Sequence, residues 1–284
     1  MSHVAIVTDS ASDLAPTRVA ELGISVVPLE VTFGSQSFKA GVDLSTDEFW
    51  QRMTAPDAPF PKTAASAPGD FKAAYDAAFA AGADAIVSIH VASTLSGTIK
   101  SAEIARDMLP EREIHIVDSM GASMGEALLA ELAVGMASVG VAAAEIARVC
   151  EERRADIAMI VALDTLEYLK RGGRISGAKA AIGTLLSVKP IIDVKDGKVE
   201  QAAQVRTRGK ARETVIDMIC VRPIERLAVL HTTNAEVEAF RDALVARVPG
   251  GIDPAKVSID LVGPSVGPHL GPGCVGAVAL YKHE

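Results

Sequence analysis

Residues 85–118 read AIVSIHVASTLSGTIKSAEIARDMLPEREIHIVD. The run 85–91 is short and mostly apolar, the pattern of a strand buried in a sheet. Ser93-Thr94-Leu95-Ser96-Gly97-Thr98 then supplies hydroxyls and a glycine where a helix must begin. A helix starting at Ser96 or a near neighbour is expected to run through Met108. A second apolar run, 114–117, ends in Asp118-Ser119. Strand, helix and strand in this order predict two parallel strands joined across one face of a sheet.

Similar cycles extend in both directions. Upstream, residues 4–7 form an apolar run closing on Thr8-Asp9-Ser10, followed by a helix with Asp13 and Pro16 near its start and Gly23 past its end. Residues 24–31 are a further apolar run. Ser45-x-x-Glu48 is a capping box for a short helix through Met53. Residues 55–68 read as a Pro/Ala-rich loop, and Pro68 opens a helix that stops at Gly82.

Downstream, Ala-rich helices run to about residue 155. A second series then begins with a strand at 157–162, a helix at 165–171 broken by Gly172-Gly173, and a helix at 176–186. Strands at 190–194 and 198–205 flank Asp196-Gly197, a two-residue hairpin signal. A helix at 209–219, a strand at 227–231, a helix at 236–248 and strands at 257–262 and 275–280 follow. The expected fold class is α/β, with two α/β lobes. Residues 1–155 make an N-terminal lobe with a largely parallel sheet flanked by helices. Residues 156–284 make a C-terminal lobe with a mixed sheet, and a ligand site lies between or beneath the lobes.

The chain has 284 residues, 49% hydrophobic but only 4% aromatic, with a net charge of −8. At roughly 100–200 residues per domain, this is one large domain or two ordinary ones. An acidic chain with few aromatics lacks the clustered cations and stacking rings of a nucleic-acid surface, so no nucleic-acid partner is expected. Cys150, Cys220 and Cys274 are far apart and odd in number, which fits a reducing compartment and offers no zinc spacing. Asp9 and Asp13 stand where an export signal needs an apolar core, so the expected location is cytoplasmic. Residues 121–147 are the most apolar stretch, but Glu126, Glu131 and Glu145 interrupt them. They read as a buried helix or helix pair and not as a membrane span.

Several formal motifs do not hold. Gly271-x-Gly273-x-x-Gly276 matches a dinucleotide fingerprint, yet that fingerprint must open a helix, and the residues after Gly276 read as a strand. Gly263-x-Ser265-x-Gly267 matches a nucleophile elbow, but Pro268 follows at once and no aspartate lies downstream. There is no phosphate-binding P-loop and no i, i+4 histidine pair for a metal.

Four segments carry chemistry. At residues 93–98, free backbone N–H groups and the helix dipole make an anion site, Gly97 admits close approach, and Ser96 and Thr98 add hydroxyls. Plain capping by Ser96 accounts for the same residues. Lys62-Thr63-Ala64-Ala65-Ser66-Ala67-Pro68 brings Thr63 to that helix start if its loop folds over the carboxyl edge of the sheet; otherwise it is only a polar loop. Gly267-Pro268-His269-Leu270-Gly271-Pro272-Gly273 holds His269 on a stiff loop that either presents an imidazole to a ligand or exposes it at a turn. Residues 169–176, with Arg206, Arg208, Lys210 and Arg212, are the main basic clusters, suited to an acidic partner or phosphate, or to a solvated face.

Taken in order, these segments resemble the DegV family over nearly the whole chain. The matching stretches are Val7-Thr8-Asp9-Ser10-Ala11-Ser12-Asp13-Leu14, Lys62-Thr63 with Pro68, Leu95-Ser96-Gly97-Thr98, Asp118-Ser119 with Gly125, residues 169–175, residues 206–210 and His269-x-Gly271-Pro272-Gly273. In one departure, the family usually reads Thr-Ser-x-Pro after the lysine, whereas Ala64 follows Thr63 here. The resemblance implies a lipid-binding protein, not an enzyme, whose ligand is a long-chain fatty acid. Hydroxyls at Thr63 and Ser96 hold the carboxylate, with His269 nearby, and no metal or cofactor takes part. It further implies presentation of the acid to a separate ATP-dependent fatty acid kinase and transient exchange with the membrane, within phospholipid metabolism. Arg174, Arg206 and Arg208 then meet that partner or the product phosphate.

Two other classes fit the same residues. One is an enzyme acting on a small anionic or phosphorylated metabolite through Asp9, Ser96, Asp118 and His269. The other is a regulatory module in which lipid is structural filler.

Overall fold

A computed structural model describes residues 3–175, 188–233 and 236–283. The chain opens with β1 (Val4–Asp9), α1 (Pro16–Leu22), β2 (Ser25–Val27), β3 (Glu30–Phe33), β4 (Gln36–Lys39), α2 (Thr46–Met53) and β5 (Lys62–Ala64). It continues through α3 (Pro68–Ala80), β6 (Ala85–His90), α4 (Thr98–Asp107), β7 (Glu113–Asp118), α5 (Met124–Ser138) and α6 (Ala143–Arg153).

Strands β2-β1-β6-β7 form one sheet in which every pair is parallel. Every residue of β6 is buried, as expected of a strand covered on both faces. Alternation decides which face each residue meets. Ile6, Val87 and Ile89 pack with Leu129, Ala130 and Ile146 of α5 and α6. Val7 and Ile86 pack with Phe71, Tyr75 and Ala102 of α3 and α4. The apolar stretch 121–147 thus becomes the pair α5 and α6, turned at Gly140 (φ 82°).

The second half runs β8 (Ile157–Ala162), α7 (Glu167–Arg171), β9 (Lys189–Lys195), β10 (Lys198–Val205), α8 (Arg208–Ile219), β11 (Ile224–His231), α9 (Val237–Val245), β12 (Val257–Leu261), α10 (Gly267–Leu270) and β13 (Val275–Tyr281). Its sheet, in the order β10-β9-β8-β13-β11-β12, is mixed, with only β11 and β12 parallel. Asp196 and Gly197 both have positive φ, 49° and 72°, as a type I′ hairpin turn requires. One face of this sheet, including Ile160, Val229 and Ala277, packs with Val215 and Phe240 of α8 and α9. The other, including Met159, Ile192 and Ala228, shares a cluster with Ala11, Leu29, Val91 and Met124 of the first half. Two sheets therefore enclose one common apolar layer.

Three expectations change. Residues 24–31 form two strands, because Pro28 carries no N–H for a continuous ladder. β2 joins the parallel sheet, while β3 pairs antiparallel with β4 and β5 in a small separate sheet. The expected loop 55–68 contains β5, with Thr63 opposite Val31; a three-residue strand has too little pattern to be read before its partner is known. The Gly/Pro-rich segment after β12 contains the short helix α10. The helix expected at 176–186 lies outside the described residues. No helix among the described residues is long and apolar enough to cross a membrane.

Candidate functional site

The chain leaves β1 towards β2 on one side and enters β6 on the other. Connections that diverge in this way leave a crevice at the carboxyl ends of the two strands. Ala11 and Val91, just beyond those ends, line a cavity of about 100 Å³. Met159, Ile192, Val194 and Val199 of the mixed sheet form the opposite wall. Thr63, Ser96, Arg174, Ser265 and His269 bring polar atoms to this otherwise largely apolar lining.

Thr63 reaches the cavity because β5 pairs with β3 and lies across the start of α4. A methyl group on Gly97 would stand 3.8 Å from Ala65 Cβ. Thr63 Oγ1 lies 3.1 Å from His269 Nε2. Gly97, not Ser96, occupies the N-cap position of α4. Ser96 Oγ accepts from the Thr98 amide at 3.3 Å and lies 2.8 Å from Thr98 Oγ1. The Ser96 hydroxyl thus sits at the helix mouth without filling the cap. Ser66, two residues after Ala64, donates to the Pro28 carbonyl at 2.7 Å and anchors the loop.

His269 is carried by α10. Burial, with Arg174 beside it, pushes its pKa down to about 4, so the ring is neutral at pH 7. Its Nδ1 is buried without a hydrogen-bond partner among the described residues. The ring lies directly on Gly172, where any side chain would overlap it. Arg174 Nε donates to the Leu95 carbonyl at 3.2 Å and Nη1 to the Gly172 carbonyl at 2.7 Å. Those two bonds tie the strand–helix loop to the double glycine. Nη2 of Arg174 makes no hydrogen bond among the described residues, and the side chain lines the cavity.

Ser265, whose glycine motif fails as an elbow, also lines the cavity. It is 4% exposed, and its Oγ lies 2.8 Å from Ser10 Oγ. Ser10 Oγ in turn accepts from the Leu29 amide at 2.8 Å. No local pattern marks this pair, since 255 residues separate them.

Other sequence candidates stand elsewhere. Arg206 is exposed and does not line the cavity. Arg208 pairs with Asp164 at 2.5 Å, and Lys189 shares that carboxylate at 2.8 Å. Asp118 accepts from the amides of Ser93 and Met120, closing the turn after β7. Asp9 lies wholly buried, accepting from the amides of Ala11 and Val91 and facing His90 Nδ1 at 3.1 Å. The set Asp9, Ser96, Asp118 and His269 is therefore not gathered at one point.

Donor atoms of Asp9, His90 and Glu126 do lie within 4.8 Å of one another, the spacing of a metal cluster. His90 Nε2 is engaged by Ser88 Oγ at 2.6 Å, and Thr8 donates to Glu126 Oε1 at 2.7 Å. Burial, then the neighbouring Asp9, push the Glu126 pKa well up and favour its neutral form. This is a hydrogen-bonded core network on the inner side of the sheet edge.

Residues 3–282 match the model of the DegV family, described as an uncharacterised protein family. The chain is 32% identical over 280 residues to a DegV domain-containing protein of Caldanaerobacter subterraneus, covering 97% of this chain and 98% of that one. It is 34% identical over 290 residues to one of Streptomyces coelicolor, covering 99% of each. A fatty-acid-binding DegV family protein of Thermus thermophilus superposes with a TM-score of 0.89 at 32% identity, over 99% of this chain and 100% of that one. A stearic-acid-binding protein of Eubacterium ventriosum gives a TM-score of 0.88 at 26% identity over 99% of both.

Proposed function

This chain belongs to the DegV family, and on that premise we propose that it binds a long-chain fatty acid through Thr63, Ser96 and His269. The observation that carries this reading is that Thr63, Ser96 and His269 border one cavity whose lining, Arg174 and Ser265 apart, is otherwise apolar. In this reading residues 1–155 and 156–284 act as two lobes closing on the tail.

A carboxylate placed at the mouth of α4 meets the helix N-terminus and the hydroxyls of Ser96 and Thr63. His269 is neutral, so it adds no competing charge. In the tautomer with Nε2 protonated, it donates to Thr63 Oγ1 and leaves the Thr63 O–H to point at the ligand. Arg174, which lines the cavity, supplies the countercharge. The tail extends between Leu29, Met159, Ile192 and Val199. Each buried CH₂ contributes about 0.8 kcal/mol, so about 15 of them supply roughly 12 kcal/mol before ordering costs. That is the scale of a nanomolar dissociation constant, about −12 kcal/mol. At about 100 Å³ the cavity is smaller than ligand pockets of roughly 300–1,000 Å³, so a full acyl chain enters by parting the apolar walls.

The protein itself performs no chemistry in this reading. It works in the cytoplasm, presents the carboxylate to a separate ATP-dependent kinase, and meets the membrane only to exchange acyl groups. Arg206, exposed before the start of α8, and Arg208 contact that partner or the phosphate in this reading.

Organic extraction of the purified protein followed by mass spectrometry tests the central claim. Long-chain acid at near one equivalent is expected. An empty extract from folded protein that also fails to take up added palmitate overturns it.

A further inference from the structure

The cavity carries one polar residue that the head-group reading leaves unused. Ser265 lines it, as do the apolar Ala11, Leu29 and Val266, and is buried. Its partner Ser10 does not line the cavity. Ser10 is half-buried and borders a separate cleft on the outer side of the β1 turn. The two hydroxyls, 2.8 Å apart, therefore bridge the wall between cavity and cleft.

A count of protons defines what this bridge offers. A serine hydroxyl has one O–H and two lone pairs. The Leu29 amide donates to Ser10 Oγ at 2.8 Å, and the pair makes no other hydrogen bond among the described residues. One of the two hydroxyl protons lies in the mutual bond, and the second has no acceptor. When Ser10 donates, the spare proton is on Ser265, the member that lines the cavity. When Ser265 donates, the spare proton is on Ser10 at the cleft, and Ser265 keeps its lone pairs for the cavity. The cavity thus meets a donor or an acceptor at one fixed place without breaking an existing bond. A methylene chain uses neither. A hydroxyl, at once donor and acceptor, uses either.

The backbone sets where along a ligand this happens. The Gly267 amide donates to the Gly263 carbonyl at 2.8 Å and the Gly271 amide to the Gly267 carbonyl at 2.9 Å, so the chain winds helically from Ser265 to His269. At 1.5 Å per residue these four steps advance roughly 6 Å. A hydroxyl that close to His269 meets the carbons near the carboxylate and not the far end of the tail.

We propose that the cavity accepts fatty acids hydroxylated near the carboxyl end, with Ser265 receiving the hydroxyl and Ser10 setting the direction of its hydrogen bond. This inference rests on the carboxylate being held by Thr63, Ser96 and His269.

The test is displacement of a fluorescent fatty acid from the full chain by hexadecanoate and by 3-hydroxy- and 5-hydroxyhexadecanoate, each enantiomer separately. One hydroxy acid is expected to bind within about fivefold of hexadecanoate, and its mirror image severalfold more weakly, because a single hydroxyl on a packed wall meets one configuration. In Ser265→Ala, shown to be folded by its melting curve, the affinity of that acid relative to hexadecanoate should fall about tenfold, the loss of one buried hydrogen bond. The proposal is overturned by equal affinity of both enantiomers at both positions, by hydroxy acids that all bind more than about fivefold more weakly than hexadecanoate, or by an unchanged ratio in Ser265→Ala. Each of these leaves hexadecanoate binding, and with it the fatty-acid reading, intact. A chain that binds none of the acids overturns both. If Ser265→Ala does not fold, the enantiomers decide in the parent chain.

Discussion

At the scale of single residues, the ligand head group is a matter of a few hydrogen bonds. Removing one donor from a buried anion costs about 1–3 kcal/mol. Ser96→Ala and Thr63→Val should therefore each weaken fatty-acid affinity by about tenfold or more at unchanged melting temperature, read by displacement of a fluorescent fatty acid. Unchanged affinity in both would remove the head-group site from this end of α4.

Two buried titratable groups give opposite pH signatures. His269 has its folded pKa lowered from 6.5 to about 4. The unfolded chain binds the proton first, so stability falls as pH drops from about 6.5 and levels off near 4. Asp13 has its folded pKa raised from 3.8 to about 7. Its ionisation penalty grows as pH climbs from about 4 and is complete above about 7. Asn at position 13 can keep both hydrogen bonds and tolerates the positive φ of 56° found there. Asp13→Asn should therefore melt higher than the parent at pH 8, with the gap closing by pH 4.5. A lower melting temperature at pH 8 would contradict the buried-acid reading.

At the scale of elements, glycines set how closely segments approach. Gly172 ends α7 where the His269 ring lies against its Cα. Gly172→Ala should displace the ring and lower fatty-acid occupancy while leaving the sheets intact, measurable by extraction and circular dichroism together. Gly276 sits inside β13, and a Cβ there would come within 2.6 Å of the Ile160 carbonyl and 2.8 Å of Val161 Cα in β8. Backbone cannot yield as a side-chain tip can. Gly276→Ala should thus destabilise by several kcal/mol and appear as loss of soluble protein. The Ser45–Glu48 capping box, by contrast, was complete in the sequence and forms as read, because both partners lie within one turn.

At the scale of the whole molecule, the two halves share an apolar layer and several polar ties. Glu131 of α5 pairs with Arg18 of α1 and, across the halves, with Arg226 of β11 at 3.0 Å. The Asp196-Gly197 turn reaches back, with the Gly197 amide donating to the Met120 carbonyl at 3.0 Å and its carbonyl accepting from Thr94. A ligand lying in the shared layer stabilises both halves together. Delipidated protein should melt several degrees lower than loaded protein, and palmitate at about 100 times its dissociation constant should restore roughly 2.7 kcal/mol. No shift on reloading would place any bound lipid outside this layer.

The sequence by itself determined most of the alternating strands and helices, the parallel order around residues 85–118, the two-residue hairpin at Asp196-Gly197 and the helix start near residues 96–98. Each depends on neighbours within one or two turns, where spacing alone fixes which side chains share a face. It also singled out Thr63, Ser96, Arg174 and His269 one by one. Only the tertiary structure decided that these four border a single cavity, that Arg206 and Arg208 do not, that Asp9 and Asp118 are committed elsewhere, and that Ser265 meets Ser10. The deciding cavity contacts join distant positions, Thr63 with His269 206 residues away and Arg174 with Leu95 79 residues away. Local periodicity carries no information about which distant loops the packing of two sheets will bring together.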